Sequence, residues 1–233
     1  MFSGGYMTYI IITMIFAGIG SLVSKRLKSK FKKYSQVPMT NGMTGAEVAK
    51  KMLHHYGVDD VKIVQGQGFL TDHYNPRTKT VSLSPEVYSG RHVSAASVAS
   101  HECGHAVQHA EAYAWLGFRS AMVPVVQVAS NMQSFIFMAA IMLASSALGP
   151  TIMLAAIAVF GATTLFALVT LPVEFDASNR ALNWLDETGV ATGEQHAGAK
   201  DALWWAAMTY VVSALSSVAV LFYLVLSYLG SRD

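Results

Sequence analysis

Residues 99–109 read A-S-H-E-C-G-H-A-V-Q-H. On an α-helix, residues four apart project from one face, one turn above the other. His101 and His105 can therefore aim ring nitrogens at a single ion, at about 2.0–2.1 Å if that ion is zinc. Glu102 flanks the same opening without sitting on the metal, which suits a base acting on water there. Chance alone puts H-E-x-x-H into roughly one chain in a hundred of this kind, so the pattern needs a supporting context. The surrounding "SAASVASHECGHAVQHAEAYAWL" supplies a helical one, having no proline and a single glycine, Gly104, that a helix tolerates.

A catalytic zinc site wants three protein ligands and one open position. His109 lies eight residues past His101, about 12 Å along the helix, so one ion cannot reach both. Chain topology points to Glu174, in "LPVEFDASNRALNWLDETG". The chain enters the membrane just after the motif helix, turns in a hairpin, and returns to the same side with Glu174 among the first residues to emerge. An acid at the end of a span can also be an interfacial anchor or a partner for Arg180. Cys103, two residues from His101, points away from the site and reads as a small buried residue. His54, His55, His92 and His196 have no placement that singles them out.

The elements that must position these residues belong to a membrane protein. The 233 residues are 53% hydrophobic and only 13% charged, about half the charge of a soluble domain. Four stretches are long and apolar enough to cross a core of roughly 30 Å, namely 6–24, 124–148, 151–171 and 206–229. The second is interrupted by Gln127, Asn131 and Ser134 on one face, a stripe read as bonding to neighbouring helices or as lining a wet cavity. "GP" at Gly149 and Pro150 separates the second and third spans. No basic residue precedes the first span, so it reads as a retained anchor.

Thirteen of the sixteen Lys and Arg lie between the first and second spans, beginning with "KRLKSKFKK" at 25–33. Arg180 and Lys200 share that side, and only Arg232 is opposite. The positive-inside rule then places 25–121 and 172–205 in the cytoplasm and both termini outside. The basic run reads as a solvated face against lipid, and a net charge of +2 gives no reason to expect a nucleic-acid partner. One cysteine allows no intrachain disulfide. Within 25–121, "MTGAEVAKKMLHHYGV" predicts a helix opened by a Thr44/Glu47 capping box and ended at Gly57. "VKIVQ" and "TVSLS" predict short strands around a turn-rich "TDHYNPRTK", and a long helix starts near Ser94.

Three blocks in order, "TDHYNPRTKTVSLSPEVYSG", "SHECGHAVQH" and "LPVEFDASNRAL", resemble the YugP-type membrane zinc peptidases of bacteria. More distantly the chain is similar to the HtpX and CAAX-protease class of gluzincins. The resemblance runs from about Gly45 through the fourth span. It implies a mainly α integral membrane protein with about four transmembrane helices and a small gluzincin-like α+β cytoplasmic catalytic domain carrying a short sheet. It implies a single zinc ion on His101, His105 and Glu174, with Glu102 as base. It also implies that Thr80 to Ser84 form an edge strand for substrate, the alternative being an ordinary core strand. In gluzincins an aspartate four residues after the ligand glutamate orients a ligand histidine; here that position is Ser178, whose hydroxyl can accept an imidazole N–H. Asp176 or Asp186 are the other candidates for that support. His73, Tyr74 and Arg180 fall in the family blocks as candidates to stabilise an oxyanion, Tyr74 reading first as part of a turn with Asn75 and Pro76.

The expected function is that of a membrane-embedded zinc endopeptidase in the bacterial plasma membrane, acting on polypeptides that are membrane-embedded or misfolded. The alternative is a zinc-holding scaffold that regulates other membrane proteins without turnover. A motif buried in lipid is disfavoured, because its helix carries Ser94, Ser97, Ser100, Gln108 and Glu111, and the Asp-Gly motif of intramembrane proteases is absent.

Overall fold

The fold is that of a computed structural model, which describes residues 2–143 and 146–230. It is mainly helical, with one small sheet among the described residues. Four helices are long and apolar enough to span a bilayer: α1 (Phe2–Tyr34), α5 (Ala114–Met142), α6 (Gly149–Glu187) and α7 (Gly193–Leu229). The chain divides into two compact units. One draws on Met1–Leu22, Phe118–Leu171 and Thr209–Asp233, the apolar stretches; the other on Val23–Gly117 and Pro172–Met208.

In the apolar unit the helices are tied by ring and hydroxyl contacts. Tyr9 meets Phe137 at 4.3 Å between centroids, and Thr164 Oγ1 donates to the Ser217 carbonyl at 3.3 Å. Two boundaries differ from those read in the sequence. Helix α5 stops at Met142, whereas the second span was expected to reach residue 148; positions 144 and 145 fall outside the described residues. Gly149 and Pro150 open α6 instead of separating the spans, because a proline in the first turn forfeits no helical hydrogen bond.

The second unit holds the sheet and the motif helix. Helix α2 (Gly45–His55) begins with the expected capping box: Thr44 Oγ1 accepts from Glu47 N–H at 3.1 Å, and Glu47 Oε2 accepts from Thr44 N–H at 2.7 Å. Its Val48, Ala49, Met52 and Leu53 are buried. Gly57, at φ +66°, takes the left-handed turn that ends it. Three strands follow, β1 (Lys62–Gln65), β2 (His73–Asn75) and β3 (Thr80–Leu83), in the order β1-β3-β2. β1 pairs with β3 in parallel and β2 with β3 antiparallel. The stretch "TDHYNPRTK" was read as turn-rich, with no strand expected in it, yet it contains β2; Asn75 Oδ1 then accepts from Arg77 N–H to form the turn into β3.

The edge-strand expectation for Thr80 to Ser84 is overturned. β3 is hydrogen-bonded on both sides, Val81 and Leu83 are fully buried, and no edge remains for a substrate strand. The edges of the sheet are β1 and β2. After the short α3 (Pro85–Ser89) comes α4 (Val93–Ala110), which carries the motif and packs on α2, α3 and β2. Val48, Met52, Val81, Leu83, Val93 and Trp184 are among the buried core that joins these elements.

Candidate metal centre

The local sequence explains why α4 starts where it does. His92 is its N-cap: Nδ1 accepts from Ala95 N–H at 3.1 Å and pairs with Ser94 Oγ at 3.0 Å. Burial depresses the pKa of His92, in keeping with a neutral ring acting as acceptor. Nothing in the spacing of His92 had marked it for this role. From there the helix runs unbroken through the motif, burying Ser97, Ser100, Cys103 and Val107 and leaving His101 and His105 at the margin of the core.

Helix α6 supplies the third group. It continues past the apolar stretch, so that Glu174 and Ser178 lie on consecutive turns facing α4. The approach of the two helices is unusually close at Gly104, where a built Cβ would lie 2.5 Å from the Ala177 carbonyl oxygen. Only glycine fits. Gly104, read in the sequence as merely tolerated, is thus what lets the backbone carrying Glu174 reach the histidines.

Glu174 Oε2 lies 3.4 Å from His101 Nε2 and 3.6 Å from His105 Nε2. The three candidate ligand atoms are all within 4.8 Å of one another. A tetrahedral zinc with bonds of about 2.0–2.1 Å separates its ligands by about 3.4 Å, which is what the two nitrogen–oxygen edges show. Glu174 is 3% exposed, and its Oε2 is enclosed without a hydrogen-bond partner among the described residues. A buried carboxylate oxygen facing two imidazole nitrogens fits a cation.

The other side of each ring is held by the protein. His101 Nδ1 lies 3.1 Å from Ser178 Oγ, the hydroxyl considered in the sequence for this support. His105 Nδ1 lies 3.0 Å from Gln108 Oε1. The orientation of the Gln108 amide follows from its neighbours: Nε2 donates to the Val173 carbonyl at 2.8 Å and to Asp176 Oδ2 at 2.7 Å, both acceptors only. Oε1 must therefore face His105 and can only accept, so Nδ1 of His105 carries the hydrogen and the neutral ring presents a lone pair at Nε2. Sequence reasoning missed Gln108. Its signal was available, since a residue three positions from a ligand shares the helical face of that ligand.

Burial alone would lower the pKa of His105, but the Glu174 and Glu102 carboxylates raise it on balance. The pocket is thus negative enough to draw in a positive charge. Glu102 is 8% exposed, and its side chain makes no hydrogen bond to a described residue. Asp176 supports Gln108 instead of a histidine, and accepts from Arg180 Nε at 2.6 Å. Arg180 also donates Nη1 to Glu111 at 2.5 Å, so Arg180 pairs with these two acids and not with Glu174. Asp186 is exposed. His73 stands on edge strand β2, exposed, with Nδ1 2.8 Å from the Thr71 carbonyl. Tyr74 reaches α4, where its hydroxyl pairs with His109 Nδ1 at 2.8 Å. Cys103 is fully buried, its thiol 3.6 Å from the Ala49 carbonyl.

Two imidazoles one turn apart and a carboxylate from a second helix, in a chain with four apolar helices, make a donor set that suits zinc. The family model described as "Putative neutral zinc metallopeptidase" matches residues 8–229. The chain belongs to that zinc metallopeptidase family. It is 41% identical over 228 residues to a curated protein of Bacillus subtilis (strain 168), "Putative membrane protease YugP", covering 97% of this chain and 99% of that one. No solved structure matches it.

Proposed function

We propose that the chain is a membrane-embedded endopeptidase of the gluzincin kind, in which His101, His105 and Glu174 hold one zinc ion and Glu102 is the general base. The observation that carries this reading is the enclosed, unpartnered Glu174 Oε2 at a tetrahedral edge's distance from both imidazole Nε2 atoms. Zinc, when bound, supplies a Lewis acid that acidifies water and polarises a carbonyl. Glu102, whose carboxylate has no hydrogen-bond partner among the described residues, takes the proton of the attacking water and hands it to the departing amine. Ser178 and Gln108 fix the two rings so that each Nε2 faces inward. With Arg180 engaged by Asp176 and Glu111, His73 is the better candidate to meet the oxyanion, its Nδ1 engaged with Thr71 and its Nε2 left for substrate.

The segments 25–121 and 172–205 form the catalytic part on the cytoplasmic face of the plasma membrane, between spans at 6–24, 124–148, 151–171 and 206–229. The clustering of Val23–Gly117 with Pro172–Met208 into one unit supports that division, and the distribution of Lys and Arg supports the orientation. Polypeptides embedded in or exposed at the membrane are the substrates that such a location favours.

The test compares the parent with Glu102→Gln in detergent, measuring bound zinc by elemental analysis and cleavage of casein and of a membrane-protein panel. The expected result is zinc retained at one equivalent by both and cleavage by the parent alone. Zinc retained with no cleavage by either would replace the enzyme with a zinc-holding scaffold. Absence of zinc from both would remove the metal centre itself.

A further inference from the structure

Helix α5 carries a polar face that no described residue covers. Ser120, Gln127, Asn131, Ser134, Met138 and Ile141 are all exposed. From Gln127 onward they recur at alternating steps of four and three residues, and Ser120 stands one heptad earlier. That is the 3.5-residue period of a coiled-coil seam, which stays in line along a left-handed crossing of two helices. The stripe at Gln127, Asn131 and Ser134 was expected to bond to neighbouring helices or to line a wet cavity. Instead, among the described residues, its single side-chain hydrogen bond is internal, from Gln127 Nε2 to Asn131 Oδ1 at 3.3 Å.

Depth makes this arrangement expensive. Asn131 lies seven residues past Pro124, where the apolar span begins, about 10 Å along the helix axis and so within the hydrocarbon layer. Water is scarce at that depth to satisfy the free Nδ2 hydrogens of Asn131 or the Ser134 hydroxyl. Lipid chains cannot serve either. Surface cations such as Lys25 or Lys28 are satisfied by water whether or not they find a partner; an amide inside the hydrocarbon layer is not.

We infer that α5 is a homodimer interface, in which the seam around Asn131 packs in parallel against the same seam of a second copy. The choice of a second copy rests on self-complementarity. All copies enter the membrane in one orientation, so a two-fold axis along the membrane normal sets α5 beside its counterpart in parallel, and residue i meets residue i. A carboxamide is both donor and acceptor, so Asn131 can give Nδ2–H to the opposing Oδ1 and receive the same in return. Oδ1 has a second lone pair left after accepting from Gln127. An asparagine at one such position of a parallel seam fixes register and favours two strands. Met138 and Ile141, 57% and 41% exposed, continue the seam with apolar packing.

The experiment uses the full chain in mild detergent and in lipid nanodiscs. Light scattering should give twice the 25.1 kDa chain mass for the protein component. Ser134→Cys, on the seam, should form an intermolecular disulfide under mild oxidation. Val125→Cys, 61% exposed but on another face of α5, should not. The native Cys103 is buried and gives no background. The double variant Gln127→Leu with Asn131→Leu keeps the helix apolar and should weaken dimerisation about 3- to 30-fold per hydrogen-bonded pair lost. A monomer in both media would overturn the inference, including the case in which another membrane protein is the true occupant of the seam. So would a dimer that cross-links through residue 125 and not 134, or one whose dissociation constant the double variant leaves unchanged.

Discussion

Replacing Gln108 with leucine tests the hydrogen-bonded support of the metal centre most sharply. The two side chains are close in volume, and Gln108 is fully buried, so the substitution removes polar contacts without opening a large cavity. Three partners are affected: His105 Nδ1, the Val173 carbonyl and Asp176. Asp176 keeps Arg180 at 2.6 Å, so two groups are left orphaned. At about 1–3 kcal/mol for each enclosed, unsatisfied group, the folded state loses about 2–6 kcal/mol at most, less whatever relaxation or water recovers. The ring of His105 also loses the acceptor that fixes its tautomer, and outer contacts of this kind are worth about 10- to 100-fold in metal affinity. The assay is competition for zinc against a chromophoric chelator, with thermal unfolding in parallel. Gln108→Glu separates the two roles. It preserves an acceptor for His105 but faces the Val173 carbonyl and Asp176 with a carboxylate, so it should lose stability while retaining more zinc affinity than the leucine variant. A folded Gln108→Leu protein that binds zinc within about threefold of the parent would refute the reasoning.

Gly104→Ala sets a methyl group 2.5 Å from the Ala177 carbonyl oxygen, so α4 and α6 must separate; a loss of about 1–3 kcal/mol by denaturant titration is expected, together with weakened zinc binding. Unchanged stability would show that the helices do not meet there. His92 should make the fold acid-sensitive. Its pKa is lowered in the folded protein, so the unfolded chain takes up the proton first, and the cap's contribution is complete above about pH 6.5 and declines as pH falls below it. His92→Asn keeps a capping oxygen that does not titrate, and should flatten the melting-temperature profile between about pH 5 and 7; an unflattened profile would assign the sensitivity elsewhere.

What the sequence disclosed and what it hid divide along physical lines. The meeting of His101 with His105 is legible because helical periodicity is local, and that of Glu174 with them because two apolar stretches in succession suggest a chain that folds back. Thr44 and Glu47 announce α2 because a capping box needs only four consecutive residues. The three residues of β2 were hidden by the turn-forming Asp72, Asn75 and Pro76 around them. Whether β3 lay at an edge or in the centre depended on pairing between segments far apart in the chain, which alternation along a single strand does not encode. Gln108 was visible as a residue type and as a position, but its task depends on Val173 and Asp176 arriving from another helix. The stripe at Gln127, Asn131 and Ser134 was seen at once; that it faces outward could come only from the packing of the other helices.

Because α4 and α6 meet through Gly104 and the Ala177 backbone, and each imidazole already leans on a side chain of the same unit, the cradle owes its shape to the polypeptide. In a small zinc finger, the ion is what persuades the chain to fold at all. On the zinc reading proposed above, a chelator should silence the protein without melting it, and restoring the ion should revive it.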